Sequence, residues 1–176
     1  KIVRRGKEFG TTGYFARAAF YICLFFALQF LWVSQGTSLS LAVAYGVAHA
    51  LIGLNVQHDA NHGAASKKSW INDLLGWGAD FIGGCKFLWI EKHWTHHVFT
   101  NHPEKDPEGI AAEPVILFND YGANSVKRQW FHAYQAFYII VVVSVYGLSS
   151  VFCLGEVYRL QDASAGAVGV TFPNPW

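Results

Sequence analysis

Two clusters of histidine have the spacing of metal ligands. HWTHH places His93 three and four residues before His96 and His97, and QHDANHG places His58 four residues before His62. Side chains three or four residues apart lie on one face of a helix. Each cluster can therefore direct several imidazoles at one point, which is the arrangement that a metal site needs.

The spacing of these histidines limits the possible classes of metal site more than the ligand type does. Imidazole binds iron, zinc, copper and nickel, so histidine alone leaves the metal open. The sequence has no HExxH motif, which argues against a zinc protease of that class. It has no Glu-x-x-His motif either, which disfavours a carboxylate-bridged di-iron bundle. We therefore favour a pair of metal ions held almost wholly by histidine.

Long apolar segments must position these histidines. The chain is 52% hydrophobic and only 14% charged, which indicates a membrane protein, and a spanning helix needs about 20 mostly apolar residues. We predict spans at about 14–33, 39–56 and 136–154, with a cytosolic segment at about 58–129. The first two spans would turn back on each other across the sequence SQGTS. The net charge of +1 gives no argument for a nucleic-acid partner.

Basic residues set the expected orientation. The N-terminal sequence KIVRRGK precedes the first span, and positively charged flanks of a span stay in the cytosol. The N-terminus and the histidine clusters are therefore both expected on the cytosolic side. The predicted fold class is all-α, a multi-span transmembrane helical protein with a cytosolic helical cap that carries the clusters. We expect one incomplete domain over residues 1–176.

The text around both clusters resembles the first two histidine boxes of the membrane fatty acid desaturases. The matching segments read GLNVQHDANHGAASKKSWINDLLGWGADFIGG and EKHWTHHVFTNHPEKDPEG. They are most similar to the front-end desaturases, which make polyunsaturated acids. The resemblance extends over essentially the whole chain, because box type, box spacing and topology all agree.

This resemblance implies a non-haem di-iron centre at the cytosolic face of the endoplasmic reticulum membrane. Such enzymes use dioxygen as co-substrate and electrons from cytochrome b5 to remove two hydrogens from an acyl chain carried by a phospholipid or by coenzyme A. The resemblance leans toward a Δ5-type enzyme. Carried over residue by residue, the iron ligands would be His58, His62, His93, His96 and His97. Asp59, Asn61 and His102 are candidates for orienting the imidazoles, although a plain loop position is the alternative for His102.

Three features of the family are absent from this sequence. These are a third histidine box of the form QxxHH, a further metal-binding position on a later helix, and an N-terminal cytochrome b5 domain with an HPGG motif. Five histidines do not complete two iron sites. We therefore expect this polypeptide to be a partial desaturase domain that is inactive by itself.

Other polar residues have simpler interpretations. His49, inside the second predicted span, is expected to hydrogen-bond to a neighbouring helix, and His132 is expected to be structural or interfacial. Asp106 and Glu108 lie in the turn-rich sequence NHPEKDPEG. Prolines on either side of Asp106 favour a solvated loop there.

Other functions remain open at this stage. A histidine-box hydroxylase or a sphingolipid desaturase would use the same metal site for a different product. A non-catalytic membrane protein with a structural zinc site would need the same imidazoles, and a membrane hairpin without metal would not use them. The products of the full-length protein and its metal content distinguish these alternatives.

Overall fold

The described part of the protein is entirely helical. A computed structural model describes residues 8–109, 113–117 and 128–152, with side chains up to Val145. Within these residues every regular element is a helix and no β-strand occurs. The all-α fold class is therefore confirmed for the described residues.

The first of two compact units, Lys1–Lys86, is built on a helical hairpin. Helix α1 runs over Thr12–Gln35 and helix α2 over Leu39–Ile52. Gly36 ends α1 with a φ of 81°, a left-handed conformation that glycine adopts without steric cost. Ser38 caps the start of α2 through its hydroxyl. The two helices therefore turn back on each other at the break that the sequence predicts.

A small apolar core joins the two helices of the hairpin. Phe25 of α1 is buried, and its ring lies against α2. Ala18 and Ala48 are buried beside it and let the two helices approach closely. Ile52 and Val56 extend the same core toward the first histidine cluster. The core thus fixes where along the hairpin axis the first histidine cluster begins.

The outer surface of the hairpin is apolar and exposed. Thr12–Gln35 and Leu39–Asn61 are both long and apolar enough to cross a membrane, with a mean hydropathy of 1.7 for each. Water does not favour so much contiguous exposed apolar surface. The large side chains on it include Phe20, Phe30, Val33 and Leu39.

The second apolar helix continues beyond its predicted end at Val56. After α2 the chain forms one π-helical segment, Gly53–Gln57, and then helix α3, His58–Asn61, without a break. The first histidine cluster therefore lies on the same continuous helix, Leu39–Asn61, as the second predicted span. It does not begin a separate cytosolic helix.

Side-chain amides support the π-helical segment. Asn55 donates to the carbonyl oxygen of Leu51 at 3.2 Å, and Gln57 donates to that of Gly53 at 2.9 Å. A π-helical turn contains an extra residue, so everything after it is rotated by about 100° relative to an uninterrupted α-helix. The face on which the first histidine cluster lies is therefore set by this segment.

Short helices follow the first histidine cluster. Helix α4 covers Ser69–Gly76 and α5 covers Gly78–Phe81, and a turn leads from them to α6, Lys86–Phe99. Gly83 in this turn has a φ of 86°, a value that side chains with a Cβ atom rarely tolerate. Gly83 therefore lies at the break between α5 and α6.

A buried lysine joins these short helices. Lys86 is 3% exposed, and its ammonium group donates to the carboxylate and the carbonyl oxygen of Asp73. The same group lies 4.9 Å from the ring centroid of Trp77, a cation–π distance. Its backbone amide donates to the Asp80 carboxylate at 3.3 Å. One side chain thus ties the start of α6 to α4 and α5.

The second compact unit, Phe87–Trp176, contains the rest of α6 and a further apolar helix. A 3-10 turn over Trp130–Tyr134 leads into α7, Gln135–Phe152. The apolar stretch within the described residues, Trp130–Val145, is shorter than a spanning helix needs. The third predicted span, 136–154, thus corresponds to a helix, and its last two positions lie outside the described residues.

Candidate metal centre

The first histidine pair lies at the end of the long second helix. The rings of His58 and His62 are edge to face with their centroids 4.7 Å apart, as expected for side chains four residues apart on a helix. Asp59 places a carboxylate oxygen 3.3 Å from Nδ1 of His58. The pair therefore shares one face, with an acidic group beside one of its rings.

Asn61 holds the backbone of this first pair against α4. Its side chain is 6% exposed, and its amide nitrogen donates to Oε1 of Gln57 at 2.8 Å and to the carbonyl oxygen of Gly76 at 3.3 Å. A Cβ atom at Gly76 would lie 2.2 Å from Oδ1 of Asn61. This close approach favours glycine at position 76, because a side chain there would displace the Asn61 amide from Gln57 and Gly76.

Replacing Gly76 by alanine is expected to destabilise the first histidine pair. The added methyl group displaces the buried Asn61 amide, and leaving buried polar groups unsatisfied costs about 1–3 kcal/mol. Thermal unfolding of the full-length protein in detergent measures the effect. Gly46→Ala is the matched control, because nothing lies within 4 Å of a Cβ atom at that helical position. Equal melting temperatures for the two variants would contradict the role assigned to Gly76.

The second histidine cluster brings two imidazole nitrogens together on α6. Nε2 of His93 and Nε2 of His97 are 3.1 Å apart. Two imidazole nitrogens bound to one metal ion at about 2.0–2.1 Å lie about 2.8–3.0 Å apart at an octahedral angle and about 3.3–3.4 Å apart at a tetrahedral angle, and the observed separation lies between these values. The ring of Trp89 stacks on the ring of His93 with their centroids 4.3 Å apart. The centroid of the His96 ring lies 5.9 Å from that of His93. The donor set and its spacing therefore fit a bound metal ion.

Two carboxylates contact the far side of these imidazoles. Oδ1 of Asp106 lies 2.8 Å from Nδ1 of His96, and Oε1 of Glu108 lies 2.6 Å from Nδ1 of His93. Asp106 is 1% exposed, whereas the Glu108 side chain is 40% exposed. The solvated loop predicted for Asp106 is therefore wrong, because the turn after α6 folds back and buries this residue against the helix.

The Asp106 carboxylate is held by several hydrogen bonds. Oδ2 accepts from the backbone amide of Asn101 at 2.7 Å, and Oδ1 accepts from those of Glu108 and Gly109 at 3.0 Å. Burial by itself raises the pKa of Asp106, but the bonds from His96 and from the three amides outweigh it and lower the pKa below the usual value. This group is consequently an ionised acceptor at neutral pH.

Comparison with known protein families identifies the chain. The profile of the family described as fatty acid desaturase matches residues 31–162, which is more than half of the sequence. The chain belongs to the fatty acid desaturase family. This confirms the resemblance that the two histidine clusters carry. Together with family membership, the two apolar helices indicate that this desaturase chain associates with a membrane.

Several curated desaturases are similar to this chain. The acyl-lipid (7-3)-desaturase of Diacronema lutheri is 36% identical over 82% of the chain and 32% of the relative. The acyl-lipid (8-3)-desaturase of Physcomitrium patens is 32% identical over 93% and 32%. The Delta(5) fatty acid desaturase A of Dictyostelium discoideum is 28% identical over 86% and 32%. The chain thus spans about a third of the length of these relatives. No solved structure matches it.

His49 of this desaturase chain bonds within its own helix. Its Nδ1 lies 2.8 Å from the carbonyl oxygen of Tyr45, one turn earlier in α2. Its ring packs edge to face against Phe25 of α1, with centroids 5.0 Å apart. The predicted hydrogen bond to a neighbouring helix is therefore wrong. The His49 ring packs against Phe25 of α1, but its Nδ1 atom bonds within α2.

Two further histidines bond to backbone groups. His132 is 3% exposed, and its Nε2 lies 2.8 Å from the carbonyl oxygen of Pro114, so its predicted structural role is confirmed. Nδ1 of His102 accepts from the amide of Glu104 at 3.2 Å, and its ring faces Phe99. His102 thus organises the turn that follows the second histidine box.

The structure groups the predicted ligands by box. His58 lies with His62, and His93 lies with His96 and His97. That the two boxes meet at one centre stays a prediction. The supporting carboxylates of the second box had a usable signal in the sequence DPEG, because aspartate commonly accepts from amides two and three residues later.

Proposed function

We propose that this chain forms the part of a front-end fatty acyl desaturase that carries the first two histidine boxes of a di-iron centre. The observation that supports it best is the 3.1 Å separation of the two Nε2 atoms in the second box. Those nitrogens are in position to bind one metal ion. The proposed iron ligands are His58, His62, His93, His96 and His97.

In this proposal the chain binds and orients the metal and the iron supplies the oxidative chemistry. Iron held by these histidines would supply the activation of dioxygen that, with electrons from cytochrome b5, removes two hydrogens from an unactivated acyl chain and leaves a cis double bond. An imidazole that holds a metal ion needs a lone pair on one of its two ring nitrogens. The carboxylates of Asp106 and Glu108 accept from the opposite ring nitrogens.

We further propose that α1, α2 and α7 cross the endoplasmic reticulum membrane, with the N-terminus and both boxes on its cytosolic side. The basic N-terminal sequence supports this orientation. One face of α4 and α5 is apolar, exposed and at helical spacing, as in helices that lie at a membrane interface. The residues of that face are Trp70, Leu74, Trp77 and Phe81. This arrangement places both histidine boxes at the cytosolic leaflet, whose lipids carry acyl chains.

The proposed substrate is a polyunsaturated acyl chain on a phospholipid or on coenzyme A. Two of the relatives are named acyl-lipid desaturases and a third is named a Delta(5) desaturase. The three names support an acyl-lipid desaturase of the front-end branch, and only the name of the third supports a Δ5-type position for the new double bond.

Expressing the full-length protein in yeast fed with polyunsaturated precursors tests this function. We expect a new double bond between the carboxyl end and an existing double bond, detected by fatty acid profiling. A hydroxylated product alone would favour the hydroxylase alternative. Absence of any new product, with protein and tightly bound zinc both demonstrated, would favour the non-catalytic metal site.

A further inference from the structure

The Nδ1 atoms of two proposed ligands in the second box are already occupied by carboxylates. Oδ1 of Asp106 already accepts from two backbone amides, so we assign the hydrogen between His96 and Asp106 to Nδ1 of the imidazole. A neutral imidazole carries one ring hydrogen, so its Nε2 then has a free lone pair. The contact between His93 and Glu108 has the same form. Both rings are thereby prepared to bind metal through Nε2.

The position of the His93 ring agrees with this assignment. With its Nδ1 atom facing Glu108, its Nε2 atom faces Nε2 of His97 at 3.1 Å. The nitrogen that the carboxylate leaves available is thus the one directed at a second ligand. Glu108 and His97 thus contact opposite sides of the His93 imidazole.

Asp106 is built to hold its orientation, whereas Glu108 is less constrained. Asp106 is almost fully buried and accepts from three backbone amides besides the ring of His96. Rotating its carboxylate would break all of these bonds. Glu108 has a longer and 40% exposed side chain. The stronger constraint therefore acts on His96.

We propose that Asp106, supported by Glu108, is a positioning residue that selects Nε2 of His96 as the metal-binding nitrogen. This inference rests on the proposed function, because it takes the second histidine box to be a metal site. Asp106 lies beside Nδ1 of His96, whereas Oε2 of Glu108 lies 3.9 Å from Nε2 of the same ring. Both act through the imidazoles, by fixing the tautomer and the ring plane.

Asp106→Asn is the informative substitution because it keeps the shape of the side chain. The new amide group can donate to Nδ1 of His96, which favours the tautomer with its hydrogen on Nε2 and blocks the metal-binding lone pair. Loss of a residue that orients a ligand typically weakens metal binding about 10–100-fold. We expect an effect of that size for Asp106→Asn and a smaller one for Glu108→Gln, because the Glu108 side chain is 40% exposed.

Titration of the metal-free full-length protein with Co²⁺ measures this effect without relying on activity. The absorption bands of Co²⁺ report both affinity and ligand geometry. Glu104→Gln is the matched control, because it neutralises an exposed acid in the same turn whose carboxylate makes none of the described contacts with an imidazole. We expect its Co²⁺ affinity to equal that of the unmodified protein.

A double-mutant cycle separates positioning from mere stabilisation of the turn. If Asp106 acts through His96, Asp106→Asn changes Co²⁺ affinity no further once His96→Ala is present. An equal loss in both backgrounds would overturn the proposal, as would unchanged affinity and band shape in Asp106→Asn alone. Failure of the unmodified protein to bind Co²⁺ or iron would instead refute the proposed metal site itself, so the two failures are distinguishable.

Discussion

Replacing His97 by alanine in the full-length protein is expected to abolish desaturation. Nε2 of His97 lies 3.1 Å from Nε2 of His93, so the substitution removes one of two nitrogens placed to bind one metal ion. The loss should exceed the 10–100-fold that removal of a supporting residue typically causes, and His96→Ala should behave in the same way. Fatty acid profiles and iron content per protein measure both consequences.

The control for this prediction lies next to His97 on the same helix. Val98 is 73% exposed, and Val98→Ala shortens an apolar side chain without removing a ligand. We expect Val98→Ala to keep its iron and its activity within a few-fold. Membrane fractionation should find both variants inserted in equal amounts. Full activity and normal iron content in His97→Ala would contradict the ligand assignment.

The sequence predicts well those features that depend on local composition. The apolar runs on either side of SQGTS predict the α1–α2 hairpin, because apolar length and a short polar break are sufficient to define it. Gly83 predicts the break before α6 because only glycine readily adopts its positive φ. The spacing of His93 and His97 predicts that their rings meet, since positions four apart share a helix face.

Features that depend on how the chain folds back on itself were not predictable in the same way. Asp106 is buried because the turn after α6 returns its side chain to His96, and this return depends on Asn101, whose φ is 61°. Prolines and charges in the sequence indicate a turn without giving its direction. His49 likewise satisfies its polar atom on Tyr45 of its own helix. Composition alone does not distinguish that bond from one to a neighbouring helix.

The π-helical segment is a further feature without a distinct sequence signal. Gly53–Gln57 reads as an ordinary continuation of the apolar helix, because a π-helical turn uses the same residue types as an α-helical one. Its consequence is geometrical. The extra residue rotates the first histidine box by about 100° about the helix axis, so it decides which way His58 and His62 face. π-helical turns are frequent at functional sites.

Deleting Asn55 is therefore expected to abolish iron binding and desaturation while leaving the hairpin inserted. Removing one residue converts the segment to a regular α-helix, which turns the box by about 100° and draws it back by about 1.5 Å. The buried contact of Asn61 with Gly76 opposes that rotation, so the box must either turn away or separate from α4. Either outcome displaces His58 and His62 from their present positions.

Asn55→Ala is the matched control for this deletion. It removes the same exposed side chain and its 3.2 Å bond to the Leu51 carbonyl oxygen but keeps the number of residues in the segment. We expect this variant to retain iron and most of its activity, since the register of the first box is unchanged. The test compares the iron content and the fatty acid products of the two variants, each normalised to the amount of membrane-inserted protein. If the deletion variant bound as much iron as Asn55→Ala, the register of this segment would not determine the geometry of the metal site.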